Sequence, residues 1–87
     1  MELIFTKSFR KALSKLTIAQ RKQVENAVER YQADRTVPAL RDHALKGKMI
    51  GLRAFSAAWN LRVIYAEEAA FTTIIILIDT GTHNQVY

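Results

Sequence analysis

Two histidines, His43 and His83, are the side chains of this sequence best suited to moving protons near neutral pH. Imidazole has an ordinary pKa of about 6.5, so one histidine can accept a proton while another donates one. The chain has no cysteine, and two histidines without a carboxylate cluster are too few for a closed metal site. We therefore expect neither a metal nor another cofactor. Single histidines in loops are also common surface residues, so the pair alone does not establish catalysis.

A basic cluster lies between the two histidines, and one of its members interrupts an apolar segment. The cluster contains Arg41, Lys46, Lys48, Arg53 and Arg62, with Asp42 as the opposing charge. Strand alternation places Arg62 and Ile64 on one face and Leu61, Val63 and Tyr65 on the other. Guanidinium groups bind phosphate through paired hydrogen bonds. The cluster therefore predicts an open, polar sheet face that binds a phosphate backbone, with RNA as the favoured ligand.

The overall charge agrees with a polyanionic partner. Thirteen lysines and arginines oppose eight acidic residues, which gives a net charge of +5 and a pI near 9.9. The first residues do not form a targeting signal, and the longest uncharged run, 69–78, is too short to cross a bilayer. We expect a cytoplasmic protein without membrane contact.

The elements that would position these residues follow from hydrophobic periodicity. Residues 2–5 predict a first strand, and the helical spacing of apolar residues predicts a helix over 6–16. Thr17 followed by Gln20 is typical of a capping box, which predicts a second helix extending to about Ala33. The two helices would form a hairpin that buries its apolar side against a sheet.

Three apolar runs, 51–56, 60–67 and 71–79, follow a linker over 34–47 and predict the rest of that sheet. Residues 67–70 would form the hairpin turn between the last two strands. Both histidines fall in segments that read as loops. The predicted fold class is α+β: one domain over 1–87, in which an N-terminal helical hairpin packs on an antiparallel sheet of about four strands.

Four segments, taken together, resemble the RelE/YafQ family of bacterial type II toxins. They are Asp42–Gly47 (DHALKG), Gly51–Arg53 (GLR), Leu61–Tyr65 (LRVIY) and Gly81–Tyr87 (GTHNQVY). The resemblance implies a RelE-like α+β toxin that a cognate antitoxin neutralises. The best-known family members enter the ribosomal A site and cut mRNA. The implied partners are therefore an antitoxin, mRNA and the ribosome.

The resemblance also implies roles for individual residues. His43 corresponds to the linker histidine of YafQ-type toxins, and His83 occupies a position that holds arginine in RelE-type members. Tyr87 matches a terminal aromatic residue, and Arg62 matches a mid-strand arginine. These four are the predicted catalytic residues. Arg53 lies near a basic position that contacts the RNA backbone in RelE-type members. The predicted RNA-binding residues are Arg41, Lys46, Lys48 and Arg53.

The sequence departs from the YafQ pattern at three positions. YafQ-type toxins carry Asp and His where this chain has Ala54 and Ser56, and an acidic residue where it has Asn60. The RelE style of catalysis, which depends more on arginine, would need none of these groups. Two other interpretations stay open: a ParE-like toxin that inhibits DNA gyrase, and a non-catalytic homologue that binds RNA or its antitoxin.

Overall fold

Two helices follow a short first strand, and a threonine precedes each of them. In the computed structural model, which describes residues 1–87, strand β1 spans Glu2–Phe5, helix α1 Lys7–Ser14 and helix α2 Ile18–Ala33. The Thr6 hydroxyl accepts a hydrogen bond from the Phe9 N–H at 3.1 Å. Thr17 and Gln20 exchange two bonds, of 3.1 and 3.0 Å, which confirms the predicted capping box. Neither these helices nor the short one described below is long and apolar enough to span a membrane.

Five strands form one mixed sheet, in the order β1-β5-β4-β3-β2. The other strands are β2 (His43–Ala44), β3 (Arg53–Ala58), β4 (Leu61–Ala69) and β5 (Thr73–Gly81). The α+β class and the helical hairpin are as predicted, but β1 pairs with β5 in parallel and β2 adds a fifth strand. A two-residue strand is too short to show alternation, and the direction of β1 follows from the path of the helices. The sequence pattern therefore could not reveal either feature.

The hairpin turn between β4 and β5 lies further along the chain than predicted. Glu67 and Glu68 belong to β4, where they pair with Ile75 and Ile74 of β5. The chain reverses over 70–72, and the prediction of a turn at 67–70 is wrong. The two glutamates occupy exposed strand positions, and Glu67 accepts a hydrogen bond of 2.5 Å from Arg35.

The sheet has two different faces, as the predicted alternation requires. Helices α1 and α2 cover the first, which we call the helix face, and its core contains Phe55, Leu61, Val63 and Tyr65. The Tyr31 ring of α2 stacks on Phe55 with centroids 4.7 Å apart. The other side, which we call the open face, carries the side chains of Ala54, Ser56, Arg62 and Ile64 and is covered only in part.

Candidate active site

Strand pairing brings three polar residues to the open face. Arg62 lies opposite Ser56, and His43 lies opposite Ala54, which in turn lies opposite Ile64. Directly opposed residues of an antiparallel pair point to the same side of a sheet. His43, Ser56 and Arg62 therefore share one surface, with His43 at the outer strand and Arg62 at an inner one.

The His43 ring is held in one tautomer by a backbone carbonyl. Its Nδ1 lies 2.7 Å from the Arg41 oxygen. A carbonyl can only accept a hydrogen bond, so Nδ1 carries a proton and donates it. Nε2 consequently has a free lone pair when the ring is neutral, and the ring is exposed. Arg41 itself adopts the left-handed conformation, with φ of 49°, which is uncommon for a residue other than glycine.

A short C-terminal helix, α3 (His83–Val86), lies on the open face and carries the second histidine. Val86 is buried against Ala54 and Ile64, which fixes the helix to the sheet. The His83 and Tyr87 rings meet edge to face, with centroids 4.5 Å apart. His43 lies in β2 and His83 in α3, so the prediction that both histidines lie in loops is wrong.

Gly81 allows α3 to approach the end of β5 closely. A Cβ atom at this position would lie 2.7 Å from Oε1 of Gln85 and 3.0 Å from its Cβ. The same Gln85 oxygen accepts a hydrogen bond of 2.7 Å from the Thr82 N–H, as part of a second capping box. The sequence signal was present, since Thr82 precedes Gln85 by three residues, but the segment is too short to show helical periodicity.

Arg62 is positioned by the turn that connects β3 and β4. Its Nη1 donates to the carbonyl oxygens of Ala58 and Trp59, at 3.4 and 3.3 Å. Asn60, in the same turn, accepts a hydrogen bond of 3.4 Å from the His83 N–H. The guanidinium retains further N–H groups that can meet an anion. One turn thus links Arg62 to the helix that carries His83, and sequence reasoning treated Asn60 merely as a missing acid.

Arg53, by contrast, belongs to the helix face. It lies opposite Tyr65, and its Nε donates to the Tyr65 hydroxyl at 3.1 Å. Its Nη2 forms a salt bridge of 3.3 Å with Asp42, which also accepts a hydrogen bond from Tyr65. Burial raises the pKa of Tyr65, and the Asp42 carboxylate beside it adds to the shift. Arg53 therefore lies on the face of the sheet opposite the one that carries His43 and Arg62.

Arg35 extends this network on the helix face. Its Nη2 lies 2.5 Å from Glu67 and 3.7 Å from Asp42. The hydrogen bond from Arg35 holds the pKa of Glu67 below its usual value. Sequence reasoning missed this network. Strand alternation nevertheless places Arg53 on the same face as the buried Phe55, and this pattern is visible in the sequence.

The remaining predicted RNA-binding residues, Arg41, Lys46 and Lys48, are all exposed. The two lysines lie in the segment between β2 and β3. That segment is anchored beside the open face, because Leu45, Met49 and Leu52 pack against the cluster formed by Ala54, Ile64 and Val86. The lysines therefore flank the surface that carries His43. No three His, Asp or Glu side chains lie close enough together to hold a metal ion.

The chain matches one known protein family over its whole length. The family model described as the bacterial toxin of the type II toxin–antitoxin system, YafQ, matches residues 1–87. The chain belongs to the YafQ family. The resemblance to RelE/YafQ toxins inferred from the four sequence segments is thereby confirmed. Among curated protein sequences, none matches this toxin.

Solved structures share the fold of this YafQ-family toxin at low sequence identity. The YoeB/ParE toxin from Agrobacterium tumefaciens has a TM-score of 0.74 at 17% identity, covering 95% of this chain and 99% of its own. YafQ from E. coli has a TM-score of 0.71 at 17% identity, covering 99% and 97%. The E. coli DinJ–YafQ toxin–antitoxin complex has a TM-score of 0.65 at 15% identity, covering 99% and 96%.

The departures from the YafQ pattern have definite places in the structure. Ala54 is fully buried beneath Val86, so α3 occupies the space that a larger polar side chain would need. Ser56 lies opposite Arg62 on the open face. Asn60 contacts the backbone of α3. This family member therefore presents His43, His83 and Arg62 without the Asp and His that YafQ-type toxins carry at positions 54 and 56.

Proposed function

We propose that this toxin is an mRNA interferase, a metal-independent endoribonuclease that cuts mRNA bound to the ribosome. The observation that carries the proposal is the arrangement of the open face. His43, with Nε2 free, shares this face with Arg62 and with the helix that bears His83 and Tyr87. Two imidazoles and a guanidinium provide the proton-transfer groups and the fixed positive charge that metal-free RNA cleavage requires.

In the proposed reaction, the ribose 2′-oxygen attacks the adjacent phosphorus while the bond from phosphorus to the 5′-oxygen breaks. A base removes the proton from the 2′-hydroxyl, and an acid protonates the departing 5′-oxygen. The products are a 2′,3′-cyclic phosphate and a 5′-hydroxyl. Holding the three reacting atoms in line contributes several kcal/mol to the rate enhancement, on the order of 7–11 kcal/mol in the best cases.

The position of each residue on the open face indicates its role in this reaction. His43 and His83 transfer the two protons, with Nε2 of His43 as the site that can accept one while Nδ1 stays bonded to Arg41. Arg62 meets the negative charge that develops on the phosphoryl oxygens, using the N–H groups that the turn carbonyls leave free. The Tyr87 ring, placed against His83, stacks on or orients a base.

The proposed partners follow from the family. A cognate antitoxin would bind and neutralise this toxin in the cytoplasm. The E. coli DinJ–YafQ structure is a toxin–antitoxin complex, which supports a partner of this kind. The ribosomal A site would present the mRNA, and the exposed Arg41, Lys46 and Lys48 would contact the phosphate backbone. Such contacts weaken steeply as salt concentration rises.

Translation of a defined mRNA in a purified system, with primer extension to map new 5′ ends, tests the proposal. We expect discrete ends with the wild-type protein and about 10²–10⁴-fold slower cleavage with His83→Ala. Asn84→Ala is the matched control, because Asn84 is the exposed neighbour of His83 in α3 and has no assigned role. The new ends should also carry a 5′-hydroxyl.

Two results would contradict the proposal. Equal cleavage by a folded His83→Ala protein would remove His83 from the chemistry. Intact mRNA with uninhibited translation would favour the non-catalytic interpretation, in which the absence of the YafQ-type groups at positions 54 and 56 leaves a protein that only binds.

A further inference from the structure

A cleft at one edge of the sheet lies outside the four residues to which the proposed reaction assigns catalytic roles. It lies along the outer edge of β3, which β2 pairs with only at Arg53 and Ala54. The cleft has a volume of about 360 Å³, within the range of about 300–1,000 Å³ usual for ligand pockets. Its polar lining consists of Arg30 from α2, Arg41 and Ser56, and Trp59 closes one side.

Trp59 is unusual because almost its whole surface is exposed. It is 92% exposed and is the single tryptophan of the chain. An indole in this position contributes nothing to the core, yet it presents a large flat surface on which a nucleic-acid base can stack. Its backbone is held beside Arg62, since the Trp59 carbonyl oxygen accepts a hydrogen bond from that residue.

The two arginines of the cleft are free to bind an anion. Neither Arg30 nor Arg41 forms a salt bridge with a carboxylate of the chain, whereas Arg35 and Arg53 both do. The left-handed backbone of Arg41 is maintained by bonds on both sides. Its N–H donates to the Pro38 oxygen at 3.1 Å, and its own oxygen accepts from His43. Unpaired guanidinium groups beside an exposed aromatic ring suit a phosphate joined to a base.

Two contacts connect the cleft with the proposed active site. Ser56 lines the cleft and lies opposite Arg62, and Arg62 in turn is bonded to the Trp59 carbonyl. An RNA strand whose scissile phosphate meets Arg62 would therefore place a neighbouring nucleotide at Trp59. We propose that this cleft is a nucleotide subsite, in which a base of the mRNA stacks on Trp59 while its phosphate binds between Arg30 and Arg41. This inference rests on the proposed function for the identity of the ligand.

Fluorescence of the single tryptophan gives a direct test that does not require cleavage. The probe is a short 2′-O-methyl oligoribonucleotide, which lacks the attacking hydroxyl. We expect it to quench Trp59, and we expect Arg30→Ala to weaken binding and to lower the salt dependence by about 0.7 in log–log slope, the value for one phosphate contact on a single strand. The anisotropy of the oligonucleotide shows at which concentrations it is bound. Unchanged Trp59 fluorescence at those concentrations would overturn the subsite.

Cleavage on the ribosome gives the second test. Trp59→Ala should slow cleavage by about 5- to 100-fold and alter the preference for the base next to the cut, because one stacked base is lost. Trp59→Phe should restore much of the rate. Phe71→Ala is the matched control, since Phe71 is an equally exposed aromatic residue in the turn between β4 and β5.

The outcomes separate this inference from the proposed function. If cleavage depends on His83 but Trp59→Ala behaves as the wild type, the subsite is wrong and the nuclease stands. If no mRNA is cut but the oligonucleotide still quenches Trp59 and requires Arg30, the cleft binds RNA and the nuclease is wrong. If Trp59→Ala weakens only the binding of the cognate antitoxin, the cleft is a protein-binding site and the inference fails.

Discussion

The two faces of the sheet use their charged residues in opposite ways. On the helix face, Arg35 and Arg53 are paired with Glu67 and Asp42, and the Tyr65 hydroxyl joins the network. On the open face, Arg62 bonds only to carbonyl oxygens, which carry no net charge. Both faces present arginine from neighbouring strands, but only one leaves it available to a ligand.

One face of the sheet therefore serves stability, and the other serves the proposed reaction. A guanidinium that is already paired stabilises the fold and has little capacity to bind phosphate. A guanidinium that bonds only to carbonyl oxygens has a fixed position, but no carboxylate balances its positive charge. Changes on the helix face should therefore reduce stability, and changes on the open face should reduce cleavage.

The largest expected effect concerns His43. His43→Ala should slow mRNA cleavage by about 10²–10⁴-fold, because no other group replaces Nε2. His43→Asn sharpens the test, since the Asn side-chain amide can still donate to the Arg41 oxygen but has no titrating nitrogen. Single-turnover cleavage rates should fall equally in both variants. Retained activity in His43→Asn would mean that His43 only holds the backbone of Arg41.

Tyr65→Phe should break the network on the helix face. The change removes the hydroxyl that Arg53 and Asp42 share, and it leaves these partly buried side chains with fewer partners. We expect the free energy of unfolding to fall by about 1–3 kcal/mol, measured by urea denaturation. The cleavage rate per folded molecule should stay unchanged. A variant of unaltered stability would show that the network is not what holds this face together.

High pH should also act on the helix face. Burial raises the pKa of Tyr31 and Tyr65 above the ordinary value of 10.0, so both are held in the neutral form in the folded protein. Their contribution to stability is complete below about pH 10 and is lost as the pH rises towards the folded pKa values. Urea denaturation between about pH 8 and pH 11 should show this loss, with a shallower slope for Tyr65→Phe. Equal slopes for the two proteins would contradict the assignment.

The smallest effect is expected at the rim of the network. Glu67→Gln weakens the bond from Arg35 and should lower the free energy of unfolding at neutral pH by about 0.5 kcal/mol, because the pair is partly exposed. The pKa of Glu67 lies below its ordinary value of 4.5, so its contribution is lost as the pH falls through the folded pKa. Denaturation curves of variant and wild type should therefore converge in acid. A constant difference at every pH would indicate that shape, not charge, is responsible.

Much of this division could be predicted from the sequence. Alternation along Leu61–Tyr65 placed Arg62 on the face opposite the core, and the capping box placed the start of α2. Periodicity could not predict the short elements, because neither β2, with two residues, nor α3, with four, is long enough to repeat its period. Both histidines lie in those elements, so their identity was predictable while their orientation was not.

The position of Arg53 illustrates a different limit of the sequence pattern, and its predicted contact with RNA stays a prediction. Its resemblance to an RNA-contacting position outweighed its phase with Phe55, which places both side chains on the helix face. Arg53 also depends on Asp42, which reaches it through the strand pairing of β2. Local alternation therefore predicts the face on which Arg53 lies, which the family pattern alone does not give.

The division between the faces is tested most directly by measuring mRNA cleavage with wild type, His43→Ala and Tyr65→Phe at equal concentrations of folded protein. We expect His43→Ala to lose the discrete 5′ ends while remaining folded, and Tyr65→Phe to keep them while losing stability. Cleavage by His43→Ala at the wild-type rate, or loss of cleavage in folded Tyr65→Phe, would contradict this division.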